Sequence, residues 1–234
     1  MKAARTSTRS WTTDMTEYRS DLPPRPPRMA RLPLTDKGYP VLWFSFVDDD
    51  GKADLRVVGP GKRELALKHK VCWLCGEPLG RYLSFVVGPM CGINRVSAEP
   101  PQHLECAEYA VVACPFLTRP LATRNDRGLA ELGTKEPGGL MIARNPGVSL
   151  IWTTRDAKPF RVPGGVLMRM GDPTSISFWS NGRKATRAEI DASIESGFPI
   201  LQAEAEREGG DAVIALARQV GIFDKLLPPS EVLP

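Results

Sequence analysis

The sequence predicts an α+β protein: an N-terminal hairpin and a cysteine-rich segment, then an antiparallel sheet, then C-terminal helices. Three observations lead to this fold class. Cysteine and histidine residues are concentrated between positions 72 and 114. Short apolar runs at roughly ten-residue spacing follow them, which is typical of antiparallel strands. A helix-capping signal then introduces helical periodicity near position 186.

Composition excludes several classes of protein. The chain has 234 residues, of which 42% are hydrophobic and 25% charged, and these proportions are typical of a packed globular protein. Apolar stretches are too short to span a bilayer, and residues 1–20 lack the apolar centre of an export signal. We therefore expect neither disorder throughout nor a membrane partner, and we predict a cytoplasmic location.

The net charge of +4 is unevenly distributed along the chain. Residues 1–31 hold seven basic and three acidic side chains, whereas the rest of the chain is balanced. Within that balanced part, residues 52–127 carry eleven Lys or Arg against seven acids, and residues 189–211 carry seven acids and one Arg. This polarity is compatible with a polyanion partner, but it is more typical of ordinary solvated faces.

Residues 1–35 are predicted to form a disordered, basic tail. Thr, Ser and Arg dominate its first half, and the prolines of residues 23–28 favour an extended polyproline conformation. This composition suits a tether or a docking arm.

The next two elements are a hairpin and a short helix. Residues 41–47 and 55–58 are rich in β-forming residues and flank an Asp-Asp-Asp-Gly turn. The turn lacks the glycine position and the closing glutamate of a calcium-binding EF-hand loop. A helix over residues 62–70 follows and leads directly to the first cysteine pair.

Residues 36–118 and 140–234 are predicted to be two segments joined by a connection over residues 119–139. The second segment contains four predicted strands, at residues 140–142, 148–152, 160–170 and 176–179.

Three helices are predicted after the strands. Thr186 and Glu189 form a capping box for the first, which ends at Gly197. The second begins at Pro199 and continues to residue 207, and the third is capped by Asp211 and continues to residue 220.

All five cysteines and one of the two histidines lie within 43 residues, namely Cys72, Cys75, Cys91, His103, Cys106 and Cys114. Because a reducing cytosol disfavours disulfides, metal binding is the natural reason for such clustering. Cys72 and Cys75 have the spacing of a zinc knuckle, with Gly76 permitting the tight turn. His103 and Cys106 are one helical turn apart and share a face.

These two pairs predict a closed, structural Zn²⁺ site made of Cys72, Cys75, His103 and Cys106. One alternative stays open, in which Cys91 replaces His103 and all four ligands are thiolates. Cys114 is predicted to be a buried small hydrophobic residue.

A knuckle, a strand over residues 82–87 and two ligands in the first turn of a helix together resemble the treble-clef zinc finger over residues 72–106. From about Tyr18 onward the sequence is also similar to a group of uncharacterised proteins encoded in bacterial and phage genomes. The residues that carry this second resemblance are 72–80, 88–106, 113–117, 145–147 and 182–189. It implies one coherent unit with the finger built in, and it implies no activity.

Catalytic zinc fingers fit less well. HNH endonucleases need a histidine base between the two ligand pairs, and residues 76–102 contain none. The zinc deaminase motif is also absent. The segment 88–97 is predicted to be a loop in which Asn94 and Arg95 are candidate ligand-binding residues. A Cys91 nucleophile there would lack a general base, because His103 is assigned to the metal.

The predicted function is therefore that of a zinc-binding protein associated with DNA or RNA. A locally basic finger region supports this, with candidate phosphate contacts at Arg63, Lys68, Lys70, Arg119 and Arg124, and with further basic residues at Arg56, Lys62, Arg95 and Arg127. Two alternatives stay open. One is an adaptor that binds another protein, and the other is an enzyme with a polar site near Cys91, Asn94 and Arg95.

Overall fold

The computed structural model describes residues 16–123, 125–129 and 144–230. Its antiparallel strands and its helices confirm the α+β class. The strands are β1 (Ser45–Val47), β2 (Ala53–Val58), β3 (Leu83–Val87), β4 (Val96–Ser97), β5 (Ser149–Thr154), β6 (Ala157–Val162), β7 (Gly165–Met170), β8 (Pro173–Ser180) and β9 (Arg183–Lys184). The helices are α1 (Lys62–His69), α2 (Pro89–Asn94), α3 (Leu104–Ala113), α4 (Arg187–Glu208) and α5 (Gly210–Asp224).

The predicted hairpin is formed by β1 and β2, which pair antiparallel. The Asp48 carboxylate accepts hydrogen bonds from the backbone N–H groups of Asp50 and Lys52, at 3.1 and 2.8 Å. Gly51 adopts a φ of +82°. The acidic segment is thus a side-chain-stabilised turn, as the sequence indicates.

Two sheets join the cysteine-rich segment to the C-terminal half. One has the strand order β3-β5-β8-β9 and the other β4-β7-β6, and every pairing is antiparallel. In the first, Phe85 of β3 lies opposite Trp152 of β5. Strands from before and after the predicted connection therefore lie side by side. The predicted strand 140–142 and most of the connection 119–139 lie outside the described residues, and the segment boundaries stay a prediction.

The prediction of one strand over residues 160–170 is wrong. The structure has two strands, β6 and β7, paired as a hairpin in which Val162 lies opposite Gly165. Pro163 and Gly164 form the turn, and Gly164 has a φ of +89°. A proline followed by glycine reverses the chain more readily than it continues a strand.

Two helix predictions are also wrong. α4 continues through Gly197 and Pro199 to Glu208, and Gly209 rather than Asp211 is the N-cap of α5. A Cβ at Gly197 would come within 2.9 Å of the Met90 side chain. Gly197 thus permits close packing of α4 on α2 and does not end the helix. The capping box of Thr186 and Glu189 is present as predicted.

The segment 88–97, predicted as a loop, contains α2 and β4. Pro89 occupies the first turn of α2, where its missing N–H costs nothing. A Cβ at Gly92 would lie 2.8 Å from the Phe223 ring, so the absence of a side chain lets α2 approach α5 closely.

The hydrophobic interior has two main parts. The sheet–helix core lies between the strands and the helices α2, α4 and α5, and its largest buried members are Phe85, Ile93, Leu150, Trp152, Met170, Ile190 and Phe223. The knuckle core surrounds the cysteine pairs and consists of Met29, Ala66, Cys72, Trp73, Leu74, Cys75, Cys106, Tyr109 and Ala113. The Phe44 ring stacks on the Trp73 ring at 4.9 Å within it.

Residues 16–35 differ from the predicted disordered tail. Met29 ends a short 3-10 helix, Pro27–Met29, and is 0% exposed in the knuckle core. Arg28 donates to Glu77 at 2.9 Å and lies 2.7 Å from Glu105. A buried apolar side chain next to a bridging arginine is enough to dock a segment that proline has already stiffened. Residues 1–15 lie outside the described part of the chain.

Across the described ranges, no helix combines the length and the apolar character that crossing a bilayer requires. The cytoplasmic location stays a prediction.

Candidate metal centre

Cys72, Cys75, His103 and Cys106 converge on one point. One ligand atom from each, the three Sγ atoms and a ring nitrogen of His103, all lie within 4.8 Å of one another. His103 presents its Nδ1 atom, which is 3.4 Å from Cys75 Sγ and 4.0 Å from Cys106 Sγ. The cluster can hold a metal ion, and it contains the four residues that the sequence predicts.

The first cysteine pair lies on a tight turn closed by backbone hydrogen bonds. The Cys72 N–H donates to Glu77 O at 2.8 Å, and the Gly76 N–H donates to Cys72 O at 2.9 Å. Gly76 has a φ of +77°, and a Cβ on it would lie 2.2 Å from the Trp43 ring. Both the backbone conformation and the neighbouring indole therefore require glycine here.

The second pair lies at the start of α3. His103 is the extended N-cap residue rather than part of the first turn, and Cys106 follows within that turn. Just before them, Gln102 exchanges two backbone hydrogen bonds with Ser84 of β3, at 2.8 and 2.9 Å. The Trp73 N–H donates to Pro101 O at 3.1 Å. These bonds bring the knuckle and the helix start together.

Hydrogen bonds outside the cluster orient its ligands. His103 Nε2 lies 3.0 Å from the Pro78 carbonyl oxygen. Because a carbonyl only accepts, Nε2 carries the proton and the Nδ1 lone pair is free to face the sulfurs. The His103 backbone N–H also donates to Cys72 Sγ at 3.5 Å, which favours a thiolate there.

The three sulfurs influence one another's ionisation. Hydrogen bonds from Cys106 and Cys75 lower the pKa of Cys72 to about 2. Cys106 lowers the pKa of Cys75, but the Cys72 thiolate and burial outweigh it and raise that pKa to about 11. Cys72, Cys75 and burial all raise the pKa of Cys106. The three thiols therefore do not ionise independently, and a bound cation would supply the positive charge that favours their thiolate forms.

The other two cysteines do not reach the cluster. Cys91 is exposed on α2, and Cys114 is the partly buried C-cap residue of α3. The structure thus brings His103, and not Cys91, to the other three ligands. The all-thiolate alternative is not the arrangement observed.

Of the predicted phosphate-contacting residues, one is held by contacts within the protein and three are exposed. Arg63 is half-buried, donates to the Ala98 carbonyl and faces the Trp73 ring. Arg56, from the wider basic set, binds Asp54. Lys68, Lys70 and Arg119 are exposed. Arg124 lies outside the described residues.

Asn94 and Arg95 line a cleft with a volume of about 600 Å³, which Cys91 does not line. Arg95 pairs with Asp172 at 2.7 Å. Sequence reasoning missed the other charged residues of this cleft, which are Arg155, Asp156, Lys158, Arg169 and Asp172. They lie far along the chain from Arg95, and no local motif marks them.

The fold and the cluster define an α+β protein with a Cys3His group that can hold a metal ion. Comparison with known protein families, with curated proteins and with solved structures finds no match to this chain.

Proposed function

We propose that this protein binds one structural Zn²⁺ in a treble-clef-like finger and associates with nucleic acid through the basic surface beside that finger. The convergence of three thiols and one imidazole nitrogen within 4.8 Å carries the proposal. Thiolate and imidazole ligands in a compact set of four are the donors that zinc prefers.

The character of the site favours a structural role. Four protein ligands complete a tetrahedral shell and leave no position for a water or a substrate. Cys72, Cys75 and Cys106 are also buried within the knuckle core. A metal held there would stabilise the chain around it rather than activate a bound molecule.

The chain path supports the treble-clef interpretation. The knuckle is followed by β3, and the chain returns to β3 at Gln102 immediately before the second ligand pair. α2 and β4 lie between these two points. The order is thus a knuckle, an antiparallel return and a helix with ligands at its start, with a helix and a strand inserted in the return.

The nucleic-acid part of the proposal relies on basic residues attached to the knuckle. Lys68 and Lys70 are exposed at the end of α1. The Lys70 carbonyl accepts a hydrogen bond from the Leu79 N–H at 2.8 Å, which ties the end of α1 to the knuckle. Lysines fixed in this way contact phosphates at a lower entropic cost than lysines on a free tail.

Metal analysis and cobalt substitution test the first part. We expect one zinc per purified chain, and replacement by Co²⁺ should give the visible spectrum of tetrahedral thiolate coordination. A spectrum of octahedral oxygen coordination, or metal-free protein with unchanged folding, would contradict a structural zinc site.

A charge-matched pair of variants tests the second part. Lys68→Gln/Lys70→Gln should weaken binding to DNA or RNA and reduce the salt slope by roughly one to two units, because two phosphate contacts are lost. Arg218→Gln/Lys225→Gln removes the same charge from exposed positions in the C-terminal part and is the control. Equal nucleic-acid affinities of the two double variants, measured at two salt concentrations, would contradict a nucleic-acid contact at Lys68 and Lys70.

A further inference from the structure

A second candidate site lies in the cleft that Asn94 and Arg95 line. The C-terminal end of α2, the turn between β5 and β6, and the junction of β7 and β8 form its walls. No ligand of the metal cluster is among the lining residues. The cleft is therefore separate from the metal cluster.

Basic side chains outnumber acidic ones in the cleft. The cations are Arg95, Arg155, Lys158 and Arg169, and the carboxylates are Asp156 and Asp172. The two observed ion pairs join Arg95 to Asp172 at 2.7 Å and Lys158 to Asp156 at 3.8 Å. Two arginines thus remain in excess.

Neither of these arginines has a carboxylate partner within the described part of the chain. Arg155 donates to the Tyr82 hydroxyl at 2.9 Å and lies over its ring, and Arg169 lies over the Phe160 ring at 4.9 Å. Aromatic contacts of this kind hold a guanidinium in place without neutralising its charge. Both arginines keep donors that a bound anion can use.

The register of the smaller sheet brings two of these cations together. Lys158 of β6 and Arg169 of β7 are direct cross-strand partners. Like charges placed directly opposite each other destabilise a strand pair, and the single carboxylate near Lys158 is 3.8 Å away and exposed. An anion bound between the strands would relieve this repulsion.

Arg95 is the most firmly held of the four cations. It is the C-cap residue of α2, with a φ of +54°, and its guanidinium lies over the Trp152 ring at 5.7 Å. The Arg95 side chain is 21% exposed, whereas the Asp172 side chain that it binds is 88% exposed. A fixed cation thus holds a carboxylate that solvent or another anion can readily replace.

The backbone beneath the cleft is equally fixed. The Trp152 indole N–H donates to Gly171 O at 3.0 Å, and the Thr154 hydroxyl donates to Asp172 O at 2.8 Å. The Gly171 N–H donates to Asp156 O at 2.8 Å. The cleft is therefore organised before any ligand arrives, which reduces the entropic cost of binding.

Gln219 of α5 adds a polar group with an unmet hydrogen bond. It lines the cleft, and its Oε1 atom is buried with no hydrogen-bond partner among the described residues. Leaving a buried amide unsatisfied costs about 1–3 kcal/mol. Rotation of the amide presents either its oxygen or its NH₂ group to a ligand.

From these observations we infer that the cleft binds a phosphate group. Guanidinium groups reach it from three separate elements, and a tetrahedral phosphate can accept from several directions at once. A single carboxylate ligand would occupy one guanidinium and leave the others unpaired. The phosphate displaces the Asp172 carboxylate from Arg95 and takes its place.

Titration of the 234-residue chain with inorganic phosphate, followed by calorimetry and by NMR shifts, tests this inference. Arg155→Gln and Arg169→Gln should each weaken binding about tenfold or more, because each removes a charge-assisted hydrogen bond. Arg161→Gln is the matched control, since Arg161 is an exposed arginine of β6 that does not line the cleft. It should bind as the wild type does.

Asp172→Asn gives an effect of the opposite sign. Removing the competing carboxylate should tighten phosphate binding severalfold, whereas a merely structural ion pair would give unchanged or weaker binding. The inference is overturned if the wild-type protein shows no saturable binding of inorganic phosphate. Equal affinity of Arg155→Gln, Arg169→Gln and Arg161→Gln for phosphate also overturns it.

Two further probes identify the source of the phosphate group. Competition by a short oligothymidine that disappears in Arg169→Gln assigns the site to a nucleic-acid backbone. Competition by a nucleoside monophosphate but not by the oligothymidine assigns it to a free phosphate ester. Loss of oligothymidine binding in Lys68→Gln/Lys70→Gln with phosphate binding intact would show that the knuckle surface and the cleft act independently.

Discussion

The knuckle core and the sheet–helix core are stabilised in different ways. In the sheet–helix core, large side chains such as Trp152 and Phe223 are buried between strands and helices. The knuckle core instead places three sulfurs and an imidazole at its centre, among neighbours that include Met29 and Trp73. The first relies on buried apolar area. The second contains four possible metal ligands, and a metal ion bound to them would stabilise the folded chain.

α3 connects the knuckle core to the sheet. Cys106 and Tyr109 on this helix belong to the knuckle core. Ala107 and Val111 pack against Ile151 of β5. A disturbance at the metal centre can therefore reach the sheet through α3, as well as through the backbone hydrogen bonds between Gln102 and Ser84 of β3. Measuring metal content and global stability in the same variants separates the contributions of the two cores.

The largest effect is expected from the ligands themselves. Cys72→Ser/Cys106→Ser should abolish zinc retention and lower the melting temperature steeply, because structural zinc sites contribute about 10–16 kcal/mol of binding free energy in isolated fingers. Metal analysis and calorimetry measure both effects. Cys91→Ser is the matched control and should keep its zinc. Stoichiometric zinc in the double variant would contradict the assignment of these ligands.

Phe223→Ala should weaken the other core alone. It removes a ring that is 2% exposed and packs edge-on against Phe178, at a cost of about 3–5 kcal/mol. Denaturant unfolding should show this loss, and the zinc content of the folded protein should be unchanged. Zinc loss from folded Phe223→Ala protein would mean that the two cores are not separable.

Gly76→Ala tests the local packing of the knuckle. The new Cβ would collide with Trp43, and we expect a loss of about 1–3 kcal/mol with faster zinc loss to a chelator. Gly51→Ala is the control, because Gly51 has a similar φ of +82° and no atom within 4 Å of a built Cβ. A similar loss in both variants would mean that backbone conformation, and not the Trp43 contact, sets the cost.

The smallest effect concerns the capping box at the start of α4. Arg183, followed by the Thr186 N–H, lowers the pKa of Glu189 from 4.5 to about 2. A lowered pKa in the folded state adds stability that is fully present above pH 4.5 and is lost as the pH falls towards 2. The difference in melting temperature between the wild type and Glu189→Gln should therefore shrink over that range.

Glu195→Gln, a substitution at an exposed position of the same helix, controls for the loss of one charge. An identical pH dependence in Glu189→Gln and Glu195→Gln would contradict a specific role for the capping carboxylate.

The metal ligands could be predicted because their signal is local. Cys72 and Cys75 are close in sequence, as are His103 and Cys106, and each spacing alone limits the geometry. The Thr186 capping box is local in the same way. The cleft has no such signal, since Arg95, Arg155 and Arg169 come together only when the sheets form.

The sequence predictions that are wrong share a physical cause, which is tertiary packing. Gly197 has the residue type of a helix end, but the structure uses it to admit Met90 of a neighbouring helix. Met29 lies in a proline-rich segment with no periodicity, yet it fills a site in the knuckle core. In both cases a distant partner determines the role of the residue, and the local sequence does not contain that partner.

The pairing of β3 with β5 also affects the order in which the protein can fold during synthesis. Phe85 lies opposite Trp152, so β3 leaves the ribosome well before its neighbour exists. The Ser84 bridge to Gln102 and the four metal ligands are complete much earlier. Metal binding by the nascent chain would hold β3 in place before its partner strand β5 has been synthesised. The time needed to synthesise the residues between β3 and β5 would then determine how long that unpaired edge is exposed to aggregation.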